Sequence, residues 1–374
     1  MPYSLIIIWH ERLRYLPAIV AVAFSALLIA LQCGLLLGLF TLTSIPVDHS
    51  SADVWVGYPG VLSVDLGRPI PEGWLTRVAR QPEVVRVEPC LLNFAFWRSE
   101  RSHQIETCTV IGTRLHKGSL GAPEQLGPEL RARLAEPDTI VVDQSELSRL
   151  GIEGIRDYAE INGRRVRVVG LVSGLKSLGG PYVFCSLETA RSLLRLRPDQ
   201  TTYLLARCRR PADAPIVAER LQGRYKDMSA FSKDSFSRRS QWHWLTKTRA
   251  GVALGLAAAL GLLVGAVVTG QTLYGATAAS LPQYAVLRAQ GISRLRIASI
   301  VLAIAFWVGI AGVALALPTV WLLAELAEAA ARTKVLLPPW LLAAAGSVTL
   351  AMALLSGLAA LRLVWRIKLG EVLR

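Results

Sequence analysis

The residues of this chain that could do chemistry are not assembled by any recognisable spacing. Its five histidines, His10, His49, His103, His116 and His243, are scattered. There is no HExxH pair to hold zinc and no GxSxG elbow to expose a nucleophile. The octet Gly112–Ser119, GTRLHKGS, has only the outline of a phosphate loop, because its lysine lacks the glycine that must precede it. Acids are plentiful between Asp48 and Asp234 but show no catalytic spacing. These patterns predict no catalytic residue, no metal site and no cofactor bound by this chain.

Four of the five cysteines, Cys90, Cys108, Cys185 and Cys208, fall in one mixed-composition region, and Cys33 lies in an apolar run. An even number in an oxidising compartment allows disulfides, of which Cys90–Cys108 and Cys185–Cys208 are the most local pairings. Buried free thiols are the equal alternative. With no CxxC, zinc binding or redox work is not expected.

One short stretch has a definite design. Gln283–Ile297, QYAVLRAQGISRLRI, is basic, contains no acid and sits between two long apolar runs. Pro282 suits the first turn of a helix, Gly291 suits the residue that ends one, and Ser293 can cap the next. A helix of about two turns is predicted over Pro282–Gln290, with Tyr284, Leu287 and Arg288 on one edge. An aromatic, an aliphatic and an arginine so placed form a docking knob for a partner protein; the bland alternative is a connector lying on lipid.

Long apolar elements must position that stretch. Of 374 residues, 52% are hydrophobic, mean hydropathy is +0.41, and the apolarity is blocked. Tyr15–Val47, Ala250–Leu287, Ile297–Ala324 and Val335–Leu361 carry no charge. Each exceeds the roughly 20 residues that a helix needs to cross the bilayer. The first run is expected to be a retained anchor, since its apolar part is long for a signal peptide and LFTLTSIP offers no small-residue cleavage pattern. None of the four contains an acid, Lys or Arg, so proton-relay and ion-coupled transport are disfavoured and energy must come from elsewhere.

Short-loop charge sets the expected orientation. Arg12 and Arg14, then Arg288, Arg294 and Arg296, then Arg362, Arg366, Lys368 and Arg374 fall on one face. The loop Glu325–Lys334 is neutral, which puts it and the long region after the first span outside. The net charge of +14 divides evenly. The region Val47–Arg249 has 30 basic and 23 acidic residues, and the rest of the chain has 11 and 4. Topology and a basic face near anionic lipid explain the excess without nucleic acid.

The resulting fold class is a polytopic α-helical membrane protein. Four transmembrane helices are expected, with an α+β extracytoplasmic domain between helices 1 and 2. In order these are a cytoplasmic N-terminus (1–15), helix 1 (16–42), the domain with its stalk and an interfacial helix (43–249), and helix 2 (250–273). Then follow a cytoplasmic coupling segment (274–296), helix 3 (297–323), an outer loop (324–338), helix 4 (339–361) and a cytoplasmic C-terminus (362–374). In the domain, DVWVG, EVVRVEP, IETCTVIG, DTIVVD, RRVRVVGLV and TTYLLARC are predicted strands. EGWLTRVARQ, LGPELRARLA, SLETARSLLRL and PIVAERLQGRY are predicted helices. Asn162-Gly163 is the strongest hairpin signal. FSRRSQWHWLTKTR, with Phe236, Trp242, Trp244 and Leu245 among basic residues, is predicted to lie at the membrane interface. Trp9, Tyr15 and Trp365 are expected anchors on the other face.

At TLYGATAASLPQYAVLRAQGISRLRIASIV the chain resembles the coupling segment of FtsX/MacB-type permeases of ABC transporters, in which an LRAxGxS-like string separates the second and third spans. The element order and the ending VWRIKLGEVLR extend the resemblance over nearly the whole chain. TGQTLY and AEINGRRVRVVGLV…SLETARSLL are most similar to the DevC subgroup. Many relatives carry an acid where Gln283 stands, so one salt bridge to the ATPase is expected to be missing. The resemblance implies a non-enzymatic permease in a bacterial inner membrane, paired with a second copy of itself. It also implies two ABC ATPase subunits that carry ATP and Mg, a periplasmic adaptor and an outer-membrane channel. Membrane lipids are the remaining expected partner. Mechanotransmission is the implied mechanism, with Tyr284 and Leu287 in an ATPase groove, Arg288 on an acid at its rim and Gly291 as the turn. Alternatives are an FtsX-like signalling permease that controls a periplasmic enzyme without transport, and a membrane-anchored enzyme.

Overall fold

The computed structural model describes Ile8, residues 10–331 and residues 335–365. The expected anchor Trp9, the loop charges Arg332 and Lys334, and the terminal Arg366, Lys368 and Arg374 lie outside the described residues. Two compact units divide the chain: Phe40–Gly251, and residues 1–39 with 252–374.

Among the described residues four helices are long and apolar enough to cross a membrane: Arg12–Thr41, Arg249–Ala279, Arg294–Ala331 and Pro339–Trp365. The third runs 38 residues, well beyond its expected span, and carries Pro318 inside it. Their mutual packing is apolar and close. Tyr15, Val22, Leu273, Ile304, Val308 and Ala353 form one buried cluster across all four helices. Between the first and second, Ser25 Oγ donates to the Gly265 carbonyl at 3.0 Å and lies 3.0 Å from Thr269 Oγ1, so these hydroxyls are satisfied without water.

The second unit contains eleven strands: β1 Val54–Gly57, β2 Ile70–Pro71, β3 Val84–Ser99, β4 Ile105–Thr113, β5 Thr139–Asp143, β6 Tyr158–Ile161, β7 Arg164–Val172, β8 Tyr182–Ser186, β9 Gln200–Thr201, β10 Tyr203–Cys208 and β11 Ser229–Ser232. The sixteen residues of β3 serve two sheets. Its first half pairs with β10 in the antiparallel order β11-β1-β10-β3. Its second half pairs with β4 and, through Trp97↔Ile161 and Ser99↔Ala159, with β6. The order β3-β4-β8-β5-β7-β6 therefore closes on itself as a six-stranded barrel, which leaves those strands no free edge. Leu91, Trp97, Val110, Ile140, Val168 and Val183 belong to the core cluster of these strands. The Trp97 indole donates to the Leu150 carbonyl at 2.9 Å. Val56, Leu204, Ala218 and Leu221 share a second core, where the helix Ala214–Arg224 packs on the β1–β10 sheet.

The Asn162-Gly163 hairpin is present. Both residues take positive φ, 51° and 82°, between the paired Ile161 and Arg164. The Asn162 side chain is used twice more, accepting from Phe96 N and donating to the Leu193 carbonyl.

The basic aromatic tail forms the helix Lys233–Lys247, but it seats on its own α/β unit. Phe236 is fully buried against the rings of Trp55, Tyr203 and Phe231. Ser240 Oγ accepts from Val64 N at 3.0 Å, and Arg239 Nε donates to the Val61 carbonyl at 2.8 Å. Of the four apolar residues Trp242 is the exposed one, at 66%, while Trp244 and Leu245 are half-buried. Phe236 thereby completes an aromatic cluster with Trp55, Tyr203 and Phe231.

None of the cysteines is bridged. Cys90 and Cys108 lie on adjacent strands, but Ala95, five residues along β3, is the partner of Cys108. Cys185 on β8 is separated from Cys208 on β10 by β4 and β3. Both pairings therefore lie beyond the Cα separation that a disulfide spans.

Candidate functional site

Between the second and third long helices stands the helix Leu281–Ala289. Ser280 precedes it and Pro282 lies in its first turn, where no N–H is needed. Its end is closed by two reversed hydrogen bonds, Gly291 N to the Arg288 carbonyl at 3.1 Å and Ile292 N to the Leu287 carbonyl at 3.2 Å. Gly291 takes φ +90°, and Ile292 shares an apolar cluster with Leu287. This is a Schellman ending, which a residue with a side chain at 291 would strain. Ser293 then accepts from the N–H groups of Arg296 and Ile297 and starts the next long helix.

The edge expected from the sequence is not the exposed one. Tyr284 is 3% exposed and packs with Ile297, Val301 and Leu361. Its ring cannot fill a partner's groove in this arrangement. Leu287 joins the same cluster and is half-buried, as is Arg288. The exposed edge is instead Gln283, Val286 and Gln290, with Val286 at 52%. The signal for this is the spacing of Leu281, Tyr284 and Leu287, an apolar stripe that turns into the cluster with Ile297 and Leu361.

Gln283 has found an acid of its own. Its carboxamide donates to Glu11 Oε1, and Arg14 Nη1 reaches Glu11 Oε2 at 2.9 Å. Burial acts to raise the Glu11 pKa, but the bonds from Gln283 and Arg14 outweigh it and hold the carboxyl below the ordinary glutamate value. The residues just before the first span thereby brace the short helix.

The phosphate-loop-like octet is held by a carboxylate, the wrong charge for phosphate. Glu88 accepts from Ser119 Oγ at 3.1 Å and Leu120 N at 2.9 Å, and lies 3.0 Å from His116 Nε2. Among the described residues no group of three His, Cys, Asp or Glu could hold a metal ion. The four thiols are inert by environment. Burial pushes Cys90 and Cys108 up to about 12 and Cys208 up to about 11, and raises Cys185 as well.

Residues 255–369 match the family model described as FtsX-like permease C-terminal. Over this segment the chain is similar to the C-terminal part of FtsX-like permeases. The match takes in most of the second span, the short helix with its glycine turn, and the last two spans. The α/β unit lies before it. Against solved structures, the chain is similar to the periplasmic region of MacB from Actinobacillus actinomycetemcomitans, at 12% identity, covering 51% of this chain and 94% of that one with a TM-score of 0.34. The extracellular domain of the noncanonic ABC-type transporter YknZ from Gram-positive bacteria is matched at 8% identity, covering 48% and 98% with a TM-score of 0.32. A domain of a putative permease protein from Porphyromonas gingivalis is matched at 12% identity, covering 50% and 90% with a TM-score of 0.28. No curated protein matches the chain.

Proposed function

We propose that this chain is the membrane subunit of an ABC exporter, most like the DevC subgroup. Two copies of the chain assemble with two ATPase subunits, which carry the ATP and Mg. The helix Leu281–Ala289 is the coupling helix: ATP-driven closure of the ATPases moves it, and the first and second spans pass the movement to the α/β unit. That unit lies outside the bacterial inner membrane, as the basic short loops support, and works there with a periplasmic adaptor and an outer-membrane channel.

The observation that carries this reading is the rigidly terminated helix with an exposed edge, placed between the second and third spans within the permease-matched segment. Gln283 and Val286 offer the first contact on the partner. Leu287 and Arg288 support it from the half-buried side, and Gly291 fixes the turn. No ATPase chemistry belongs to this chain, so its energy must arrive through that contact. Co-expression with a candidate ATPase subunit tests the reading. The pair should co-purify and hydrolyse ATP, and the chain alone should hydrolyse none. Authentic turnover by the isolated chain, free of any ATPase, would contradict it.

A further inference from the structure

Residues of the second and fourth spans line a groove of about 520 Å³ within the membrane unit. That volume lies in the range of pockets that hold small-molecule ligands. Val267 and Gly270 of the second span and Met352 and Leu355 of the fourth line its apolar part. Ser356, also at its wall, turns its hydroxyl back to the Met352 carbonyl at 2.8 Å. Gln271 and Tyr274 close one end. Among the described residues neither the Gln271 carboxamide nor the Tyr274 hydroxyl has a hydrogen-bond partner.

Depth along the helix says what those two groups meet. The span runs from Gly251 to Ala279, so Gln271 and Tyr274 stand eight and five residues from its end on the side of Leu281–Ala289. At 1.5 Å per residue its 29 residues reach about 43 Å, more than the roughly 30 Å of hydrocarbon, so about one turn at each end reaches headgroup level. Tyr274 therefore stands near that interface, where tyrosine favours headgroups, and Gln271 about one turn deeper. Val267 and Met352 lie in the adjoining leaflet. The second span is also the least buried of the four, with 17% of its apolar window covered against 28–44% for the others.

We infer that this groove holds one acyl chain of a membrane lipid from the leaflet on the coupling-helix side, with the lipid's ester and headgroup oxygens on Gln271 and Tyr274. The complementarity is of polarity: an uncharged apolar trough in one leaflet, ending in a donor–acceptor amide and a phenol at ester height. This rests on the chain spanning a membrane and not on its having an ATPase.

The test uses the full chain in phosphatidylethanolamine vesicles containing a small fraction of the same lipid with a diazirine in one acyl chain. After photolysis, labelled positions are read by mass spectrometry. Label should concentrate at Val267, Met352 and Leu355, at least fivefold above the exposed Trp321 and Leu322 of the third span. Gly270→Leu should bring the groove label down to the level of Trp321 and leave Trp321 itself unchanged, which reports an intact fold. Gly270→Ala should keep the label, since its Cβ meets only Ser356 Oγ at 3.6 Å. Gln271→Leu with Tyr274→Phe should reduce it severalfold. Equal label at the groove and at Trp321 would mean bulk lipid only and would overturn the site. A disulfide between Tyr274→Cys copies with no groove label would overturn it in favour of an interface with a second copy.

Discussion

The indole Nε1 of Trp244 donates to Asp65 Oδ2 at 2.7 Å, tying the last helix of the α/β unit to the turn Val64–Leu66. Ser63 Oγ holds the other carboxylate oxygen at 2.8 Å, and Tyr203 Oη donates to the Val64 carbonyl at 2.7 Å. The helix Lys233–Lys247 is thus tied to β10 through two hydrogen bonds and the turn between them. Trp244→Phe removes the first and leaves a buried carboxylate short of a donor, at a cost of about 1–3 kcal/mol. Thermal unfolding of the full chain should show that loss, and an unchanged midpoint would contradict the tie.

Burial raises the Asp65 pKa above the ordinary aspartate value, and the bonds from Ser63 and Trp244 only partly offset it. A carboxyl with a raised folded pKa binds its proton more tightly when native, so its ionisation costs stability. Below the ordinary value nothing is lost, and the cost grows as pH rises through the raised one. Asp65→Asn should therefore compare better with the parent at pH 7 than at pH 4. The opposite trend in paired melting curves would count against this.

Free buried thiols make a separate prediction. With Cys90 and Cys108 raised to about 12, thiolate is scarce at pH 8 and access is closed. The folded α/β unit should resist a membrane-impermeant maleimide until denatured, and its melting midpoint should not move on adding reductant. A drop with reductant would show a disulfide.

Gly291→Ala places a side chain where φ is +90°, which costs about 1–2 kcal/mol. Helix Leu281–Ala289 should fray at its end, read as faster amide exchange at Gly291 and Ile292. Protection as in the parent would contradict the Schellman ending.

Much of this was legible beforehand, for reasons specific to each element. Asn162-Gly163 and Gly291 announce themselves because positive φ restricts residue type. Long uncharged runs announce spans. β8 was missed: Tyr182–Ser186 is a central barrel strand paired on both sides, so its side chains show no alternation to read. The seating of Phe236 and the inward turn of Tyr284 were missed for another reason. An aromatic beside arginines reads alike whether it faces lipid or a core, and only the tertiary partners, Trp55 and Tyr203 in one case and Ile297 and Leu361 in the other, decide.

The central claim, that Leu281–Ala289 docks an ATPase, is tested most directly by a photo-crosslinking residue at Val286. That side chain is 52% exposed, so the probe does not disturb the cluster around Tyr284. In cells carrying the ATPase subunit, the account expects an adduct with that subunit, lost with Val286→Asp in a parallel pull-down. Capture of lipid alone, with undiminished ATPase recovery by Val286→Asp, would contradict it.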